Sequence, residues 1–148
     1  MKWNGIGVLA LALASVLAGA SGGTTVVGEE AREVFNTLIA AGATRTEIPE
    51  GPTVIIDELT CSGKAVNGEV VSGECQLLGD PRLKRLDGAM GLRLLKGLIN
   101  MGLRQKIAEG HQVLVALTGL DCGVLHNPGQ GKSNPQSGQA SCFFVDSN

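Results

Sequence analysis

The sequence predicts a single α+β domain: two αββ halves forming a four-stranded, largely antiparallel sheet, with two helices packed on one face and a disulfide stapling each half. Three observations carry this. A helical stretch followed by two cysteine-bearing strand candidates occurs twice, in halves 29–79 and 80–148. Leu98, Ile99 and Gly102 stand sixty positions after Leu38, Ile39 and Gly42. The four cysteines, Cys61, Cys75, Cys122 and Cys142, fall two to each half.

Residues 1–20 have the form of a cleaved secretory signal. Met1-Lys2 gives a positive start, Ile6 to Leu17 an apolar core, and Ala18-Gly19-Ala20 the small residues a signal peptidase needs. The apolar run is too short to cross a bilayer comfortably, so a membrane anchor is the weaker reading. Residues 21–28 read as a flexible lead-in, and 29–148 as one domain. An even number of cysteines in a small exported chain favours disulfides over metal ligands or catalytic thiols. Of the three possible pairings, the repeat favours Cys61–Cys75 and Cys122–Cys142, each within its own hairpin.

In the first half, Ala31, Val34, Phe35, Leu38 and Ile39 fall on one helical face. Glu29, Glu30 and Glu33 suit the positive N-terminal end of that helix, and Gly42 is its natural stop. A polar connection leads to Thr53-Val54-Ile55-Ile56 and on to Leu59-Thr60-Cys61. Asn67-Gly68 is the strongest short hairpin signal, because both positions of a tight turn need positive φ. A two-residue turn there sets Cys61 opposite Glu74, so either a bulge restores the register to Cys75 or the turn is longer.

In the second half, Asp80-Pro81 has the pattern of an N-cap followed by proline at the first helical position, with helix continuing to about Leu103. Gly88, Gly91 and Gly97 weaken it. Val113 to Leu120 and Ser141 to Val145 are strand candidates, and 127–140 between them is an exposed Gly, Pro, Ser, Gln and Asn loop.

Composition removes several classes of function. The sole tryptophan, Trp3, lies in the signal and tyrosine is absent, leaving Phe35, Phe143 and Phe144 as the aromatics. Stacking platforms for bases or sugars are therefore nearly excluded. The net charge of −2 gives no reason to expect nucleic acid as a partner. Gly131-Lys132-Ser133 lacks the glycine five places upstream that a phosphate loop needs, because His126 stands there, so no nucleotide is expected. His111 and His126, with Glu109 or Asp121, have no metal-ligand spacing, and neither a metal nor a cofactor is expected.

Charge is nevertheless uneven: 82–106 holds seven bases and one acid, against ten acids and three bases in 24–80. On a helix over 82–106, Arg93, Lys96, Asn100 and Arg104 form one narrow stripe among leucines. A helix this apolar needs cover, from its own core, from a second copy of the protein, or from an anionic membrane surface.

The function expected is that of a small exported, non-enzymatic binding protein of the bacterial envelope, periplasmic or secreted, with a protein partner or a second copy of itself. Three alternatives stand beside it. The helix 82–106 can contact anionic lipid; loop 127–140 can present Lys132 and Ser133 to a protease in the manner of an inhibitor; or His126, with Asp121 and a nearby serine, can serve a small hydrolase.

Overall fold

The computed structural model describes residues 22–48, 51–108, 111–125 and 139–147. The signal-peptide reading of 1–20 and the residues His126, Lys132 and Ser133 lie outside them. In chain order the elements are β1 (Thr24–Val27), α1 (Glu29–Ala40), β2 (Thr46–Ile48), β3 (Gly51–Val66), β4 (Glu69–Val70), β5 (Glu74–Leu78), β6 (Arg85–Leu86), α2 (Gly88–Asn100), β7 (Lys106–Ala108), β8 (Gln112–Leu125) and β9 (Gln139–Asp146). Two helices and a large antiparallel sheet with two disulfides make this an α+β fold.

The sheet is larger than the four strands expected. Its main path runs β1-β9-β8-β3-β5-β6, with β2 and β4 on β3 and β7 on β8, nine strands among the described residues. The additional strands are short, and all but β1 arise where the chain turns back on a neighbouring long strand. Thr24–Val27, expected as a flexible lead-in, is one of them: it pairs with β9 from Ser141↔Val27 to Phe144↔Thr24. Its β-branched residues suit an extended chain, but its partner lies more than a hundred residues away and cannot be read locally.

Both helices end alike. Ala43 N–H donates to Leu38 O and Gly42 N–H to Ile39 O; Leu103 N–H donates to Leu98 O and Gly102 N–H to Ile99 O. This double bond closes the last turn through a residue with positive φ, and Gly42 and Gly102 both have φ of 104°.

The Asn67-Gly68 turn forms as expected, with φ of 54° and 80°, and it sets Val66 opposite Glu69. The bulge, not a longer turn, restores the cysteine register. Val71 N–H donates to Lys64 O at 2.8 Å and Lys64 N–H to Ser72 Oγ at 3.2 Å, which absorbs one extra residue before Cys61 meets Cys75. The two bridges are Cys61–Cys75 and Cys122–Cys142, each joining directly opposed residues of neighbouring strands.

The second helix starts later than the sequence suggests. Asp80 does cap backbone N–H groups, those of Arg82 and Leu83, but within a turn that leads into β6. Arg85 and Leu86 pair with Gln76 and Cys75, and only then does α2 begin, at Gly88. The basic segment 82–106 is thus a turn, a strand, a shorter helix and a further strand.

The two chain halves interlock. α1 packs on β8 and β9, which follow α2 in sequence, while α2 packs on β5 and β3, which precede it. Accordingly Cys142 Sγ lies 3.6 Å from Ala31 O, and Cys75 Sγ lies 3.9 Å from Gly91 O, so each bridge sits beneath the other half's helix. One core results, including Val34, Leu38, Ile56, Leu59, Leu94, Leu98, Leu117 and Phe144.

The helices meet where Gly97 faces Val34; a Cβ on Gly97 would stand 3.0 Å from Val34 Cγ2. Gly91 is tighter, since a Cβ there collides with Gly73 O and stands 3.1 Å from Leu86 O, both backbone atoms. Gly91→Ala is therefore expected to cost about 2 kcal/mol by overpacking. Gly97→Ala meets only a side-chain methyl and regains helix propensity, so it should be close to neutral. Urea denaturation of the two variants checks the contrast.

Candidate functional site

Strand alternation divides the sheet residues between two faces. Val54, Ile56, Leu59 and Cys61 of β3 and Val113, Val115, Leu117, Leu120 and Cys122 of β8 point to the helices and are buried. The alternate positions form the opposite face, over which no described element packs. Successive rows on it follow from the registers. One runs Thr25, Phe143, Asp121, Ile55; the next Val145, Thr118, Glu58, Leu78; the next Ala116, Thr60, Gln76, Arg85; and the last Lys106, Leu114, Ser62, Glu74.

Large apolar side chains lie open on this face, among them Val27, 49% exposed, Ile55, 52%, Leu78, 60%, and Phe143, 43%. Asp121 sits between Phe143 and Ile55, and Glu58 beside Leu78. Next to Glu58 the surface dips into a depression of about 400 Å³, lined by Glu58, Thr60, Gln76, Leu78, Lys84 and Arg85. Arg85 anchors its rim through Glu74 at 2.6 Å and reaches Asp87 at 3.8 Å. The arrangement offers apolar contacts beside carboxylates at one end and cations at the other. Comparison of the chain with protein-family models, with curated proteins and with solved structures finds no match.

The residues singled out from the sequence fall elsewhere. Arg93, Lys96 and Asn100 are exposed on the outer side of α2, as the periodicity indicates. Arg104 is not on that stripe. It follows the helix end, and its backbone N–H donates to Asp146 Oδ2 at 2.8 Å. Arg93 binds Glu33 of α1 at 3.0 Å, so the basic and acidic helices neutralise each other here. Most of the apolar face is covered by the protein's own core: Leu94, Leu95 and Leu98 are fully buried, Met101 and Leu103 nearly so, and Leu92 is half-buried.

His111 has a φ of 64° and lines a separate groove with Ala65, Val66, Asn67, Gly68 and Ile107. No group of three or more His, Cys, Asp or Glu side chains placed to hold a metal ion occurs among the described residues. The open face itself was legible in part, since Thr60, Ser62 and Gln76 alternate with core residues. Ile55, Leu78 and Phe143 carry no such sign, because an apolar residue in a strand reads equally as core.

One buried carboxylate has a structural role. Asp80, 2% exposed, accepts from Thr44 N–H at 2.7 Å, Thr44 Oγ1 at 3.2 Å, Arg82 N–H at 2.7 Å and Leu83 N–H at 2.8 Å. Burial alone raises its pKa, but the bonds from Arg82, Leu83 and Thr44 together outweigh that and hold it below the ordinary carboxylate value.

Proposed function

We propose that this chain is a small, exported, non-enzymatic binding protein of the bacterial envelope, periplasmic or secreted, and that it engages a protein partner through the open face of its sheet. The observation that carries this reading is the contrast between the two faces. The helical layer is sealed by its own core, whereas the opposite face leaves Ile55, Leu78 and Phe143 uncovered beside Asp121 and Glu58. Exposed apolar groups gathered on one face, with polar groups around them, suit contact with another macromolecule. Both disulfides fit an oxidising compartment, as does the signal-like segment 1–20. Among the described residues no helix is long and apolar enough to cross a membrane.

The same reading includes an origin by duplication of an αββ unit. It is supported by the strand order, which maps onto its own reverse when β1, β3 and β5 change places with β6, β8 and β9, and by the identical closure of both helices. The anionic-lipid alternative keeps Arg93, Lys96 and Asn100 of its four-residue stripe, with Arg93 engaged by Glu33. The inhibitor and hydrolase alternatives rest on Lys132, Ser133 and His126, outside the described residues.

The test is a pull-down from the native envelope with the oxidised protein immobilised. Proteins retained by the wild type are expected to be lost with the Ile55→Lys/Leu78→Lys variant and kept with Lys96→Glu on the helical side. Retention unchanged by the sheet-face variant, or abolished by Lys96→Glu, overturns the reading.

A further inference from the structure

We propose that two copies of this chain pair through the free edge of β1, antiparallel about Thr25, joining their sheets into one. The inference stands on the edge's own geometry and not on the reading of the open face. Gly28 N–H donates to Ala140 O at 3.0 Å. By the alternation of a strand, the N–H and C=O groups of Val26 and Thr24 also point to β9, and those of Gly23, Thr25 and Val27 point outward. β1 is the last strand on its side of the sheet and pairs with β9 alone among the described residues. An outward row of donors and acceptors is a template for another strand unless charge, proline or a bulge blocks it.

Among the described residues nothing of this kind blocks it. From Gly22 to Gly28 the chain holds no charged residue and no proline. The opposite edge is defended in the usual way, since β6 is two residues long and Arg85 is engaged by Glu74 and Asp87. A neutral edge meets its own copy without repulsion.

The side chains select a second copy as the occupant and also select the register. Pairing about Thr25 sets Gly23 opposite Val27 of the second copy, twice by symmetry. A Cβ on Gly23 would collide with the Phe143 ring, so that ring lies over the glycine where a side chain would otherwise be. Val27 is 49% exposed and Phe143 43% exposed, both on the open face. In the pair, Val27 of each copy comes against the Phe143 ring of the other, so the edge's two large exposed apolar groups cover one another. The dimer also doubles the row Thr25, Phe143, Asp121, Ile55 across the two-fold axis.

Sedimentation velocity on the oxidised protein over a range of concentrations tests this. A reversible monomer–dimer equilibrium is expected. Thr25→Pro removes only an outward N–H, because Thr25 makes no ladder bond to β9, and should weaken dimerisation at least about tenfold through the two hydrogen bonds lost per dimer. Thr25→Val keeps that N–H and should keep the dimer. Val27→Asp, which leaves the backbone untouched, should also give monomer and serves if Thr25→Pro fails to fold. A wild type that stays monomeric at every attainable concentration overturns the proposal, and so does a dimer that Val27→Asp leaves intact. Because Ile55→Lys/Leu78→Lys leaves the edge untouched, loss of the dimer and loss of the partner are separately readable.

Discussion

Replacing Cys61 and Cys75 together by alanine is expected to lower the free energy of unfolding by about 3 kcal/mol, and Cys122→Ala/Cys142→Ala by a similar amount. The closed loops span 14 and 20 residues, and chain entropy makes the cost of releasing them nearly independent of that difference. All four sulfurs are buried in the core, so alanine is the substitution to use; a serine hydroxyl there would lack a partner. With both bridges gone the loss reaches about 6 kcal/mol, comparable to the whole stability of many domains, and the chain should no longer fold cooperatively. Guanidinium denaturation of the three variants, with the slope checked for constancy, measures this. The interlocked helices add a further expectation. Because Cys75 seats Gly91 of α2 and Cys142 seats Ala31 of α1, loss of the first bridge should raise amide exchange in α2 more than in α1, and loss of the second should do the reverse.

Local chemistry made some of this architecture legible. The α1 face of Ala31, Val34, Phe35 and Leu38 follows helical periodicity and is buried as that periodicity demands. Gly42 closes the helix and Asn67-Gly68 turns the hairpin, because both depend on backbone conformations that few residues adopt. The cysteine pairing was legible because the repeated order puts two cysteines on consecutive strands in each half of the sequence. What failed was whatever depended on distant partners. Asp80-Pro81 has the same local appearance whether its carboxylate caps a helix or a turn, and the choice is made by Thr44 and by β6 folding back on β5. The helix expected over 82–106 was shortened for that reason, since Arg82, Lys84 and Arg85 precede it. The exchange of helices between halves is a matter of topology, and no residue pattern carries it. For the candidate site, alternation located the face, but the exposed Ile55, Leu78 and Phe143 could not be told from core without the sheet's second layer.

Asp80→Ala is expected to cost about 3 kcal/mol, since hydrogen bonds to a buried charge are each worth about 1.5–3 kcal/mol and the released N–H groups are left without acceptors. Asp80→Asn separates the two jobs of the carboxylate. Its carbonyl oxygen can replace Oδ1, which takes the bonds from Arg82 and Leu83, but its NH2 group then faces the Thr44 N–H that Oδ2 accepted. The turn into β6 should survive, while the tether to the segment after α1 should be weakened to the single Thr44 Oγ1 bond on Oδ1. The sign of the pH dependence follows from the lowered pKa. A carboxylate whose folded pKa is depressed contributes stability that is fully present above its unfolded value, and the contribution is lost as pH falls through the folded value. The difference in unfolding free energy between wild type and Asp80→Asn should therefore be constant near neutrality. It should begin to shrink around the ordinary aspartate pKa and be lost below the depressed one. Urea titrations of both proteins across that range provide the measurement, and a difference that stays flat into acid would show that Asp80 holds Thr44 by shape and not by charge.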